Sequence, residues 1–205
     1  MKYTSNNKLN LVPPPPYKPY DVSYEEWTIR WWQWIMSTTK EDNPAADETG
    51  QKCDKNQVDP DVWFLAGTFG GFANRRCTMS GRKAILFPII NSIECADAST
   101  RTESELCAGA KSDIDKVAMS SLRVIVDDIE LRNLEKYRVQ SRPFDLNLAN
   151  DNVLGLQLDQ TRAASDGFWI FLYPLTTAEH TIKFAGSCSA GRVRVETTYK
   201  LTVLS

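Results

Sequence analysis

The sequence predicts a mainly β fold of the α+β class, an antiparallel β-sandwich, jelly-roll-like, carrying a Trp-rich N-terminal helix and one further helix. Three observations lead there. Short runs of β-branched and aromatic residues recur between turn signals, the last run alternates strictly, and no strand-helix-strand order links them. A chain of 205 residues organised this way divides into an extended Pro-rich arm at 1–20 and a single sandwich domain with helical additions at 21–205.

The arm is defined by Pro13, Pro14, Pro15, Pro16 and Pro19, which enforce extended backbone and cannot join a helix. Leu9, Leu11 and Val12 alternate weakly ahead of the prolines, so the segment is suited to pairing along a sheet edge. The expectation is pairing in trans: residues 2–16 lie along a neighbouring copy, with the prolines as a semi-rigid spacer, and build rings or filaments. Met1 to Lys8 is polar where a secretory signal would be apolar, so an exported chain is expected to be a processed form.

Four of the six tryptophans fall between Trp27 and Trp34. Ser23 and Glu26 have capping-box spacing, which starts a helix there. Tyr24, Trp27, Trp31, Trp34 and Ile35 then share one face, and Glu26, Arg30 and Gln33 fall away from it. Such a face seals a core, because each indole removes roughly 150–250 Å² from water. Trp32 lies off this stripe and is the indole expected to meet a ligand, a partner or a second layer.

Residues 40–60 are rich in Asp, Asn, Pro and Gly and read as a surface loop. Asp42, Asp47 and Glu48 are weak calcium candidates, since the spacing is not that of an EF-hand. Strand-like runs follow at 62–66, 75–79, 83–91, 122–126, 129–131, 144–148, 167–173, 180–185 and 192–204. In the last, Val193, Val195, Thr197, Tyr199, Leu201 and Val203 share one side of a pleat. Asp127 and Asp128 make a tight turn between two short strands. A second helix over 103–117 turns Leu106, Ala110, Ile114 and Val117 inward.

Five cysteines without a CxxC pair, beside the single His180, make a poor zinc site. Local spacing pairs Cys53 with Cys77 and Cys95 with Cys107, each bridge contributing about 3 kcal/mol. Cys188 is the surplus cysteine. Two bridges imply an oxidising compartment, hence an extracellular or cell-envelope location.

Catalytic patterns are scarce. His180 sits at a strand entry, where a hydrogen-bonded structural role is expected. GxSxG, P-loop and HExxH patterns are absent, and Gly67-Thr68-Phe69-Gly70-Gly71 lacks dinucleotide spacing. Acidic pairs such as Asp127 with Asp128 or Glu94 with Asp97 carry little weight in a chain with 26 acidic residues. No catalytic residue is assigned. The formal charge of −2 with dispersed cations argues against nucleic acid, and the longest apolar run, 84–90, is too short to span a membrane.

Several blocks carry a resemblance: Trp31-Trp32-Gln33-Trp34, Asn43-Pro44, Asp47-Glu48-Thr49-Gly50 with Cys53, 62–71, Arg76-Cys77, 83–91, 165–169 and 179–186. In this order over residues 20–204 they resemble a family of uncharacterised, commonly exported bacterial and archaeal proteins. The resemblance implies an exported β-rich domain and no reaction. The leading expectation is therefore a non-enzymatic, self-associating structural protein that forms a homo-oligomer or filament without a cofactor. The alternative is a carbohydrate-binding module that presents Trp32 or Trp63 to a glycan, with calcium as an aid; a hydrolase is the third reading.

Overall fold

Ser23 caps the Trp-rich helix as its spacing predicts: its side chain accepts the Glu26 N–H at 3.1 Å and opens α1 (Tyr24–Met36). The computed structural model describes residues 11–96, 101–188 and 192–205. After α1 come β1 (Val62–Phe64), β2 (Gly71–Met79), β3 (Ala84–Cys95), α2 (Glu103–Ile114), β4 (Arg123–Val126) and β5 (Ile129–Glu130). The chain continues through β6 (Arg138–Gln140), β7 (Phe144–Asn147), β8 (Gln160–Leu172), β9 (Glu179–Cys188) and β10 (Val193–Val203).

These strands form two sheets, as the sandwich reading requires. One sheet has the order β1-β3-β8-β6, with β7 beside β6 along the same edge of β8. The other runs β2-β10-β9-β4-β5. Both are mixed: β1 joins β3 and β2 joins β10 in parallel, and the remaining pairs are antiparallel. Asp127 and Asp128 turn the β4-β5 hairpin with φ of 48° and 65°, the left-handed pair that a two-residue hairpin demands.

The inner faces meet through aromatics. Phe87 of β3 stacks on Phe184 of β9 with centroids 4.8 Å apart, and Tyr199 of β10 continues the stack. A second apolar cluster lies on the outer face of the first sheet, where α1 packs Trp27, Trp31 and Trp34 against Phe64, Trp169 and Phe171. The first sheet is thus buried on both faces, which accounts for the nearly unbroken apolar run of β3. Thr102 caps α2 in a reciprocal capping box with Glu105, and α2 turns Leu106, Ala110 and Ile114 inward over β3 and β8. Arg138 of β6 grips buried Asp166 of β8 at 2.8 Å and Asp115 beyond α2 at 2.8 Å, which pins that end.

Where the sequence predicts trans pairing of residues 2–16, Leu11 and Val12 in the described part of the arm pair within their own chain, and residues 2–10 lie outside the described residues. Leu11 bridges Leu172 at the end of β8, and Val12 N–H donates to Phe171 O at 3.0 Å. Val12 is fully buried in the α1 cluster; the hydroxyls of Tyr24 and Tyr137 donate to Pro13 O at 2.9 Å and Val12 O at 3.1 Å. Trp27 Nε1 donates to Pro19 O at 3.0 Å, so Pro13, Pro14, Pro15 and Pro16 span two attachments on their own chain. The physical reason is that the end of β8 offers a free backbone edge beside an apolar floor, within reach of the same chain. Leu9 and Asp97 lie outside the described residues.

The cysteine pairing is half as expected. Cys53 and Cys77 are bridged and buried in the inter-sheet core. No bond joins Cys95 to Cys107, and strand parity explains it. Ser92 and Glu94, two residues apart on β3, face α2: Ser92 Oγ donates to Asp113 Oδ2 at 3.0 Å, and Glu94 lies against Gly109. Ile93 and Cys95 therefore point to the opposite face, into the α1 cluster, while Cys107 rides on α2.

Candidate functional site

The cleft with the most unmet polar chemistry forms where β1 stops. Trp63 and Phe64 run parallel to Ile85 and Leu86, but the chain then leaves through Gly67 to Phe69, so β3 loses its neighbour beyond Leu86. Pro88 sits at this uncovered edge, where it has no N–H to leave unpaired. Register with β8 then shifts between Pro88 and Ile90, and this bulge bends the strand and re-aims its side chains. The result is a cleft of about 310 Å³.

Its walls come from both sides of the first sheet and from the second. Trp31 and Trp32 of α1 form one side; Ile89, Ile90, Ile114, Val117 and Val195 form the apolar floor. Phe69 and Val193, both exposed, stand at the mouth. The polar end holds Asn91, Ser92 and Asp113, whose carboxylate takes the Ser92 hydroxyl and the Lys116 ammonium, the latter at 3.0 Å.

Two of the lining residues carry donors with no acceptor among the described residues: Trp32 Nε1 and Asn91 Nδ2, both shielded from solvent. Trp31, by contrast, donates to Leu65 O at 3.0 Å and offers only its ring. Buried N–H groups without partners are uncommon, and each costs about 1–3 kcal/mol. Asn91 is held in place by Gly167 on β8. A Cβ on Gly167 would lie 2.6 Å from Asn91 Cβ and 2.9 Å from Ile90 O, so only glycine lets the bulge close there.

No protein-family model, no curated protein and no solved structure matches the chain.

The expected site residues are placed as follows. Trp32 lines the cleft, although it is 3% exposed and is not a surface platform. Trp63 is 5% exposed and faces the inter-sheet core, because β1 is covered on both sides. The weak calcium candidates do not converge. Asp47 accepts from Thr49 N at 2.8 Å, Thr49 Oγ1 at 2.7 Å and Lys52 N at 2.9 Å, bonds that hold its carboxyl below the ordinary range even against burial. Asp42 lies 3.8 Å from Lys55 and Glu48 is exposed; no group of three metal-binding side chains occurs among the described residues. His180 is nearly buried, with Nδ1 2.6 Å from Asp127 Oδ2 and Nε2 2.9 Å from Thr176 O, which ties β9 to the β4-β5 turn.

Asn91 and Gly167 escape reading from the sequence, since nothing about an Asn at the end of an apolar run distinguishes it. They do, however, fall in two of the blocks that carry the resemblance, and those blocks meet here with Asn91 opposite Gly167.

Proposed function

We propose that the chain is a non-enzymatic carbohydrate-binding domain, taking one neutral saccharide unit into the cleft at the β3 edge. One observation carries this reading: Trp32 and Asn91, whose Nε1 and Nδ2 are shielded donors without acceptors among the described residues, line a cleft with an apolar floor and one polar end. A pyranose suits such a lining, since its C–H faces pack on indole and isoleucine, and its hydroxyl oxygens supply the acceptors that both donors lack once small side-chain shifts uncover them. The carboxylate of Asp113 at the polar end disfavours an anionic ligand there. Action outside the cytosol rests on the Cys53–Cys77 bridge. The self-associating reading loses the support of Leu11 and Val12, which are used in cis.

The test is tryptophan fluorescence and calorimetric titration against neutral mono- and disaccharides. Trp32→Phe keeps an aromatic ring but removes the N–H, so an affinity about tenfold weaker is expected, one hydrogen bond in a dry site. Asn91→Ala should weaken binding similarly without changing the overall fold by circular dichroism. A panel in which no saccharide shifts the emission, or unchanged affinity in both variants, overturns the reading.

A further inference from the structure

The second sheet keeps one face uncovered. On it, β2, β10, β9 and β4 project exposed side chains in cross-strand rows, and contiguous depressions of about 440 and 550 Å³ run across them. Arg76 stands directly opposite Lys200, and Lys183 lies one row along, beside Thr198. Like charges facing each other across neighbouring strands are destabilising unless something neutralises them. Arg123 and Arg194 on this face do have carboxylates, Glu130 at 2.9 Å and Glu196 at 2.7 Å. Among the described residues no carboxylate reaches Arg76, Lys183, Lys200 or Arg192.

Four cations without a carboxylate partner among the described residues, Arg76, Lys183, Lys200 and Arg192, thus share one open sheet face with the paired Arg123 and Arg194, in a chain of formal charge −2. We propose that this face binds an acidic, uronate-bearing polysaccharide, independently of the cleft. Carboxylates spaced along an extended sugar chain supply the anions that Arg76, Lys200 and Lys183 lack. Between the cations stand Asn74, Thr198 and Thr181, neutral donors and acceptors that suit sugar hydroxyls. A nucleic acid is the poorer fit: its bases need stacking surfaces, and Phe72 at one edge is the single exposed ring in these depressions. The cations are also spread over the face rather than packed in a dense stripe.

The experiment is titration of the full chain with polygalacturonate, with the same polymer methyl-esterified, and with single-stranded DNA. Polygalacturonate is expected to bind at about 0.05 M salt and to weaken markedly by about 0.3 M, as screening requires. Esterification, which removes the charge and keeps the backbone, should abolish binding. The double variant Arg76→Gln/Lys200→Gln should bind about tenfold more weakly and melt no lower than the parent, because a repulsion has been removed. Lys183→Gln alone, an exposed change that leaves the facing pair intact, should weaken binding by a smaller factor. No binding of polygalacturonate, equal binding of the ester, unchanged affinity in both variants, or tighter binding of DNA each overturns the proposal.

Discussion

Arg75 Nη1 donates to the Tyr199 hydroxyl at 2.8 Å in the interior of the sandwich, with both side chains almost wholly buried. No carboxylate pairs with this guanidinium among the described residues. It is met instead by the carbonyls of Ala45, Asp47, Ala66 and Gly67, and the Tyr199 hydroxyl in turn donates to Ala66 O at 2.9 Å. Arg75 thus ties the loop after α1 to the segment that leaves β1. Ala45 and Gly67 both line the cleft, so one buried cation fixes the position of its wall.

Arg75→Met keeps apolar volume but strands these acceptors, and it should lower stability by about 2–4 kcal/mol. Tyr199→Phe removes only the hydroxyl and should cost about 1 kcal/mol. Urea titrations of both variants and of the double variant measure the coupling. Strictly additive losses would show that the two residues do not act as a unit.

Tyr24 contributes to the alkaline limb of the stability curve. Burial, with neighbouring phenols adding to it, pushes the Tyr24 hydroxyl well above its ordinary value while it donates to Pro13 O. The folded chain retains a proton that the unfolded chain releases near pH 10. The stabilisation is therefore complete below about pH 10 and is lost as pH rises further. Tyr24→Phe should flatten that decline by up to about 1.4 kcal/mol per pH unit, read from urea midpoints between about pH 8 and 11. Parallel curves for parent and variant would show that Tyr24 does not hold its proton.

Helices, the sandwich and most strands are legible because their signals are local. Ser23 announces α1, indole spacing gives its buried face, and the alternation from Val193 to Val203 gives β10. The first half of β8 is not legible, because Gln160, Arg162 and Asp166 read as surface loop. Asp166 enters the interior only because Arg138, 28 residues earlier, neutralises it. Arg75 does leave a trace, sitting in the same alternating phase as buried Ala73, Cys77 and Met79. The cleft leaves almost none: it arises where β1 happens to end and where β3 bulges, and both are properties of strand register. The same blindness to parity produces the expected Cys95–Cys107 bridge, since spacing along the chain does not say which face of β3 a cysteine takes.

Docking of the arm in cis predicts a stability effect rather than an assembly effect. Val12→Ala removes about two buried methylene equivalents at a fully buried position, a loss of about 2 kcal/mol with the cavity included. Deleting residues 1–16 should cost more, since the Tyr24 and Tyr137 hydroxyls also lose their acceptors. Sedimentation of parent and truncated chains should give the same association state at tens of micromolar. A truncated chain of unchanged stability but smaller assembly would restore the trans arrangement.

Trp31 is the centre of the indole cluster. Its ring meets Trp32, Trp34 and Trp169 edge-on at 5.0, 6.0 and 5.3 Å, and its Nε1 holds Leu65 O just where β1 ends. Trp31→Ala should therefore cost about 3–5 kcal/mol in denaturant titration, combining lost burial, the residual cavity and an orphaned carbonyl. It should also loosen the cleft, because Trp32 loses the edge contact that orients it. Saccharide affinity of Trp31→Ala, measured where the variant is still folded, is expected to fall below that of Trp32→Phe. A stability loss under about 1 kcal/mol would mean that the helix does not seal the outer face of the first sheet.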